Sequence, residues 1–137
     1  MKFQTKEETR AWSEAFARTL RAGDVVALSG DLGAGKTQIV QWIAAALDAQ
    51  LPAVSPTFSI VRHYPAPAFD VYHLDLYRLN TPEEIEDIDF ETFFYPQQAV
   101  TLIEWADRAA GYLPAGLIHV DITAMPGEAR EVETWRE

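Results

Sequence analysis

Apolar positions change their period several times along the chain, and each change marks an element. Thr5-Lys6-Glu7-Glu8 is a T-x-x-E capping box, and Trp12, Phe16 and Leu20 follow it at helical spacing. They predict a first helix that ends near Gly23. Asp24-Val25-Val26-Ala27-Leu28-Ser29 is a short, continuously apolar run suited to a buried strand. In the stretch from Gln38 to Leu47, Ile39, Val40, Ile43, Ala46 and Leu47 share one face of a second helix. A turn at 48–52 leads into Val54–Tyr64, where Phe58, Ile60 and Tyr64 alternate with Ser59 and His63. Pro56 forbids a helix starting at Ser55 and favours an extended approach. Pro65-Ala66-Pro67 interrupts that strand, and Phe69–Asp75 forms the next, with Val71, His73 and Asp75 on one face. So short a break predicts an antiparallel hairpin.

The second half continues in the same manner. Thr81-Pro82-Glu83-Glu84 reads as a helix start, with proline at the first helical position and acids in the first turn. The acidic run to Glu91 reads as a solvated face with Ile85 and Ile88 turned inward; Phe90, Phe93, Phe94 and Tyr95 read as core. Val100-Thr101-Leu102-Ile103-Glu104 is an apolar run closed by one acid. Gly116–Thr123 alternates as a strand, turns at Met125-Pro126-Gly127-Glu128, and returns over 129–135. The expected class is α/β, in one domain over residues 1–137.

Composition narrows the function classes. The chain of 137 residues carries 11 basic and 21 acidic side chains, a formal charge of −10. Such a surface repels a phosphate backbone, so extensive direct contact with RNA or DNA is disfavoured and a protein partner fits better. With no cysteine, disulfides, zinc–thiolate sites and thiol catalysis are excluded. No apolar run approaches membrane-spanning length, and the expectation is a soluble, cytoplasmic protein without a membrane role.

The chemistry concentrates at Gly30-Asp31-Leu32-Gly33-Ala34-Gly35-Lys36-Thr37, a G-x-x-x-x-G-K-[ST] phosphate-binding loop between a strand and a helix. Its glycines let backbone N–H groups close around phosphate oxygens, and the positive helix end adds to the attraction. Asp31, Leu32, Gly33, Ala34, Gly35, Lys36, Thr37 and Gln38 are therefore the candidate nucleotide-binding positions. Lys36 would reach the β- and γ-phosphates, and the Thr37 hydroxyl would ligate Mg²⁺. Glu104 ends its strand where a second, Walker B-type Mg²⁺ ligand belongs, with Trp105 beside it as packing or cover. Taken alone, His73 reads as a structural hydrogen-bonder and Asp75 as the better functional candidate. Arg130 stands between a surface role and a nucleotide contact.

Four motifs stand in order: the loop at 30–37, Ser55-Pro56-Thr57-Phe58, His73-Leu74-Asp75-Leu76-Tyr77-Arg78, and Ile103-Glu104-Trp105. The set resembles the TsaE (YjeE) family, small P-loop ATPases of tRNA threonylcarbamoyladenosine synthesis, over nearly the whole chain. The resemblance implies a P-loop NTPase-like sandwich with a mixed, mainly parallel central sheet and an antiparallel hairpin element. It implies an enzyme that binds ATP/ADP with Mg²⁺, hydrolyses ATP slowly alone, and works with TsaB and TsaD on adenosine 37 of ANN-decoding tRNAs, touching tRNA indirectly. By motif, Lys36, Asp75 and Glu104 become catalytic, with Asp75 nearest the γ-phosphate, and Thr37 and Glu104 hold the metal. Ser55 and Thr57 would sit in a loop that senses the phosphate. Two departures are visible. Gln38 follows Thr37 where the family usually has a second threonine, and Glu128 stands where it often has arginine, leaving Arg130 to make any contact there. The alternatives are a small P-loop phosphotransferase and a non-hydrolysing, nucleotide-gated binding module.

Overall fold

A computed structural model of the chain describes residues 1–31, 33–50, 53–54 and 61–137. The expectations for Leu32, Ser55, Thr57 and most of the strand at 54–64 lie outside the described residues. Among the described residues, eight strands form one sheet in the order β1-β8-β7-β2-β6-β5-β4-β3. In chain order they are β1 (Lys2–Phe3), β2 (Val25–Ser29), β3 (Ala53–Val54), β4 (Val61–Tyr64), β5 (Asp70–Asp75), β6 (Ala99–Glu104), β7 (Ile118–Ala124) and β8 (Arg130–Arg136). The centre, β7-β2-β6-β5, is parallel. Both flanks are antiparallel: β4 pairs with β5 and β3, and β8 pairs with β7 and β1. The expected mixed sheet is therefore present, and with it both expected hairpins.

The two innermost strands, β2 and β6, are buried almost from end to end because both their faces are covered, as parallel sheets require. On one face Val26, Leu28, Val71, Val100, Leu102, Val120 and Ile122 pack against α1 (Lys6–Thr19) and α2 (Lys36–Ala46), through Ala17, Ile39, Val40 and Ile43. On the other, Val25, Ala27, Leu74 and Ile103 meet Leu76, Leu79, Ile85, Phe94 and Leu117. Period two divides each strand between these layers.

Three local expectations change. α1 stops at Thr19, and Gly23 instead turns the chain into β2 at φ 100°, its N–H donating to the Ala99 carbonyl. Pro82–Asp87 forms a 3-10 helix, and the Thr81 side chain makes no capping bond. An Ile85/Ile88 pair at i,i+3 suits three residues per turn as well as an α-helix; Ile85 is buried and Ile88 half-buried. Aromatic packing then divides: Phe94 is buried at the end of α3 (Phe90–Phe94), while Tyr95 is 58% exposed.

Candidate functional site

β7, β2, β6 and β5 run in one direction, so their C-terminal ends share an edge of the sheet. The loop after β2, the Glu104–Trp105 corner and the Asp75–Tyr77 turn meet there, the usual ligand edge of open α/β sheets. Two glycines shape the loop. A Cβ on Gly30 would stand 2.5 Å from the Ile122 carbonyl oxygen, so only glycine lets the loop leave β2 against β7. Gly35 caps α2 with φ 103°, a left-handed conformation that glycine adopts without the Cβ penalty.

Register then assembles the polar centre. Asp75 pairs with Glu104 and His73 with Leu102, so His73 lies two residues back on the face that carries Glu104. That face looks at the first turn of α2. The Thr37 hydroxyl is 3.1 Å from both Glu104 carboxylate oxygens, although 67 positions separate the residues. His73 Nε2 lies 2.6 Å from Glu104 Oε2, and the two side chains are only 6% and 4% exposed. Burial alone would raise the Glu104 pKa. The His73 hydrogen bond and charge, the Thr37 bond and the Lys36 ammonium outweigh it and hold the carboxyl below its ordinary value. Glu104 is thus an ionised acceptor, and the imidazole Nε2–H donates to it.

Lys36 is buried, its Nζ donating to the Gly30 carbonyl at 2.7 Å and sitting 4.0 Å from the centre of the Trp105 ring. Trp105 takes φ 61° to bring that ring over the loop. Tyr77 packs on it at 5.1 Å, and the Arg108 guanidinium lies 5.7 Å from both rings. Asp75 Oδ1 accepts the Tyr77 N–H at 3.1 Å, so this carboxylate shapes the turn beside the cleft.

Two clefts flank Gly35. The first, about 320 Å³, is lined by Lys36, Thr37, Asp75, Glu104 and Trp105 among others. The second, about 290 Å³, lies between the start of α1 (Lys6, Thr9), α2 (Gln38, Ile39, Trp42) and the β7–β8 turn (Gly127, Glu128, Arg130). Arg130 Nε donates to the Ala34 carbonyl at 2.9 Å and its Nη1 to the carbonyls of Ala129 and Gly127, so it straps the loop to β8. Asp31 accepts the Ala34 N–H through its carbonyl. The structure therefore gathers Lys36, Thr37, Asp75 and Glu104 in one cleft, and Arg130 at the other. The start of α1, which the sequence allowed near a bound base although packing was the safer reading, lines the second cleft through Lys6 and Thr9. Trp42 and Arg108 were not anticipated. Trp42 had a signal: it stands four residues after Gln38, on the same helix face.

The chain matches the family described as "Threonylcarbamoyl adenosine biosynthesis protein TsaE" over residues 3–132. The chain belongs to the TsaE family. The Rickettsia bellii protein named tRNA threonylcarbamoyladenosine biosynthesis protein TsaE is 37% identical over 130 residues, covering 92% of this chain and 87% of its own. The Bacillus subtilis protein of that name is 36% identical over 126 residues, covering 92% and 78%. The crystal structure of B. subtilis YdiB matches with a TM-score of 0.78 at 29% identity, over 99% of this chain and 82% of its own. The P-loop NTPase fold expected of a TsaE member is thus the fold observed. Among the described residues, no helix is long and apolar enough to cross a membrane.

Proposed function

We propose that this TsaE-family chain is a cytoplasmic, single-domain, Mg²⁺-dependent ATPase. It hydrolyses ATP slowly alone and faster with TsaB and TsaD, in threonylcarbamoylation of adenosine 37 of ANN-decoding tRNAs. One observation carries the reading: strand register and the α2 N-terminus bring Lys36, Thr37 and Glu104 together at the open edge of a parallel sheet.

The donor set fits Mg²⁺. A hydroxyl and an ionised carboxylate within hydrogen-bond reach of each other are hard oxygen ligands, and Mg²⁺ takes one or two of these plus phosphate oxygens. Bound there, the ion would supply charge neutralisation to the phosphates. The protein's own part is binding and alignment. Loop amides and the α2 terminus hold phosphate oxygens, and Lys36 exchanges the Gly30 carbonyl for a phosphate. Asp75 orients the attacking water from across the cleft. Ser55 and Thr57 are proposed to sense the γ-phosphate. The base lies in the second cleft beside Trp42, with the triphosphate passing over Gly35; Arg130 serves the nucleotide by fixing the loop it binds.

The test is phosphate release by the chain alone and with TsaB–TsaD. Low Mg²⁺-dependent release that rises with the partners is expected, whereas equal rates in the two conditions refute the partner-stimulated reading. Release to water without an added acceptor also separates it from a phosphotransferase. Repeated TsaB–TsaD turnover sustained by a non-hydrolysable ATP analogue would replace hydrolysis with nucleotide gating.

A further inference from the structure

We infer that His73 is a positioning residue for the Glu104 carboxylate: it selects the oxygen that faces the metal and fixes its direction. The inference rests on the metal-site reading above and goes beyond it, because His73 stands behind Glu104 and is not among the described residues lining the cleft.

Three observations carry it. β5 sets the imidazole diagonally behind Glu104 on the shared face, so it approaches from within the sheet while Thr37 approaches from α2. The 2.6 Å contact falls on Oε2 alone, whereas Thr37 stands equidistant from both oxygens. With both side chains almost fully buried, little water competes for that bond. A carboxylate so gripped loses rotation about its terminal torsion, which is otherwise broad. Oε2 is committed to the imidazole, and Oε1 is left as the oxygen free for a metal beside Thr37. The arrangement mirrors the partners that orient metal-bound ligands elsewhere, whose loss weakens metal binding about 10–100-fold. A purely structural buried pair would contribute stability and leave metal affinity untouched.

The experiment uses the full chain with saturating ADP and measures Mn²⁺ binding by electron paramagnetic resonance; ADP binding in EDTA is measured separately. His73→Ala should weaken Mn²⁺ about 10–100-fold while metal-free ADP binding stays within about twofold. His73→Gln, whose amide nitrogen reaches the position of Nε2, should restore most of the loss; the shorter His73→Asn should not. Should the alanine protein fail to fold, the glutamine–asparagine difference carries the test. Mn²⁺ affinities that do not separate the donor-bearing from the donor-lacking variants overturn the inference, as does equal loss of metal-dependent and metal-free binding. If the unaltered chain binds ADP no better with Mn²⁺ than without, the metal-site reading itself fails, and this inference with it.

Discussion

The clefts on either side of Gly35 are similar in size but differently made. The one holding Glu104 is walled by strand ends, and its polar groups answer one another: Lys36 to Gly30, Thr37 and His73 to Glu104, Asp75 to the Tyr77 amide. The other is walled by two helices and a hairpin turn, with Ile39, Ala34 and Trp42 between the polar tips of Lys6, Gln38 and Arg130. A sheet edge fixes direction well, as chemistry on a phosphate needs. Packed helices supply apolar area, which suits an aromatic base. If the phosphates and the base divide between the two clefts as proposed, affinity and chemistry should be separable by substitution, one cleft at a time.

The largest expected effect comes from Lys36→Ala. Truncating one partner of a buried charge-assisted contact costs about 2–5 kcal/mol, so binding of ADP and of inorganic triphosphate should both fall by about 30-fold to a few thousand-fold. Titration calorimetry on both ligands checks it. A loss confined to ADP would move the phosphates out of the Glu104 cleft and dissolve the contrast.

Glu104→Gln should come next, removing more of the metal-dependent part of nucleotide affinity than the roughly 10–100-fold expected from losing only its orienting partner, and sparing binding in EDTA. The same pair of proteins reads the carboxyl's titration. Its folded pKa lies below the ordinary value, so the ionised group contributes stability that is fully present above the unfolded pKa, about 4.3. That contribution is lost as pH falls through the folded value. In urea unfolding, the stability advantage of the unaltered protein over Glu104→Gln should shrink as pH falls through that acid range. An advantage that does not change there would contradict the assigned shift.

These two residues were legible from sequence for different reasons. Lys36 belongs to a contiguous motif, whose geometry is set by neighbours in the chain. Glu104 showed as the acid closing an apolar run, a pattern that strand β6 keeps. The His73–Glu104 pair was not legible, because it depends on the parallel register of β5 against β6, which neither strand encodes alone. Arg130 illustrates the same limit: its position in the final hairpin was readable, but its grip on Ala34 spans 96 positions. The Trp42 cleft draws on three separate segments, and no spacing rule joins Lys6 to Trp42 and Glu128. Between 82 and 98, proline and a single fully buried isoleucine left the helix type undetermined until tertiary packing chose it.

Trp42→Ala sharpens the comparison from the other side. If the indole faces a base, its loss should cost about 1–3 kcal/mol, the usual scale of base–aromatic stacking, or about tenfold in ADP affinity. Inorganic triphosphate should bind as before. Equal losses for both ligands would mean that Trp42 acts by supporting α2, to whose core cluster it also packs.

The smallest effect, and the finest probe of how the second cleft is built, is Thr5→Ala. Thr5 has extended geometry, φ −126° and ψ 159°, and its Oγ1 accepts the Glu8 N–H at 3.2 Å, closing the first turn of α1. Removing that cap should cost about 1 kcal/mol of stability, a melting shift of about 3–4 °C for a chain of this size. Lys6 and Thr9 stand in the freed turn and line the cleft, while among the described residues the lining of the Glu104 cleft includes none from α1. ADP affinity should therefore slip by less than about threefold, with Mg²⁺ dependence and triphosphate binding unchanged. An ADP loss as large as that of Trp42→Ala would show that the helix entrance, rather than the indole, holds the base. A change in Mg²⁺ dependence would couple the two clefts through the loop that Arg130 straps, and they would then have to be treated as one site.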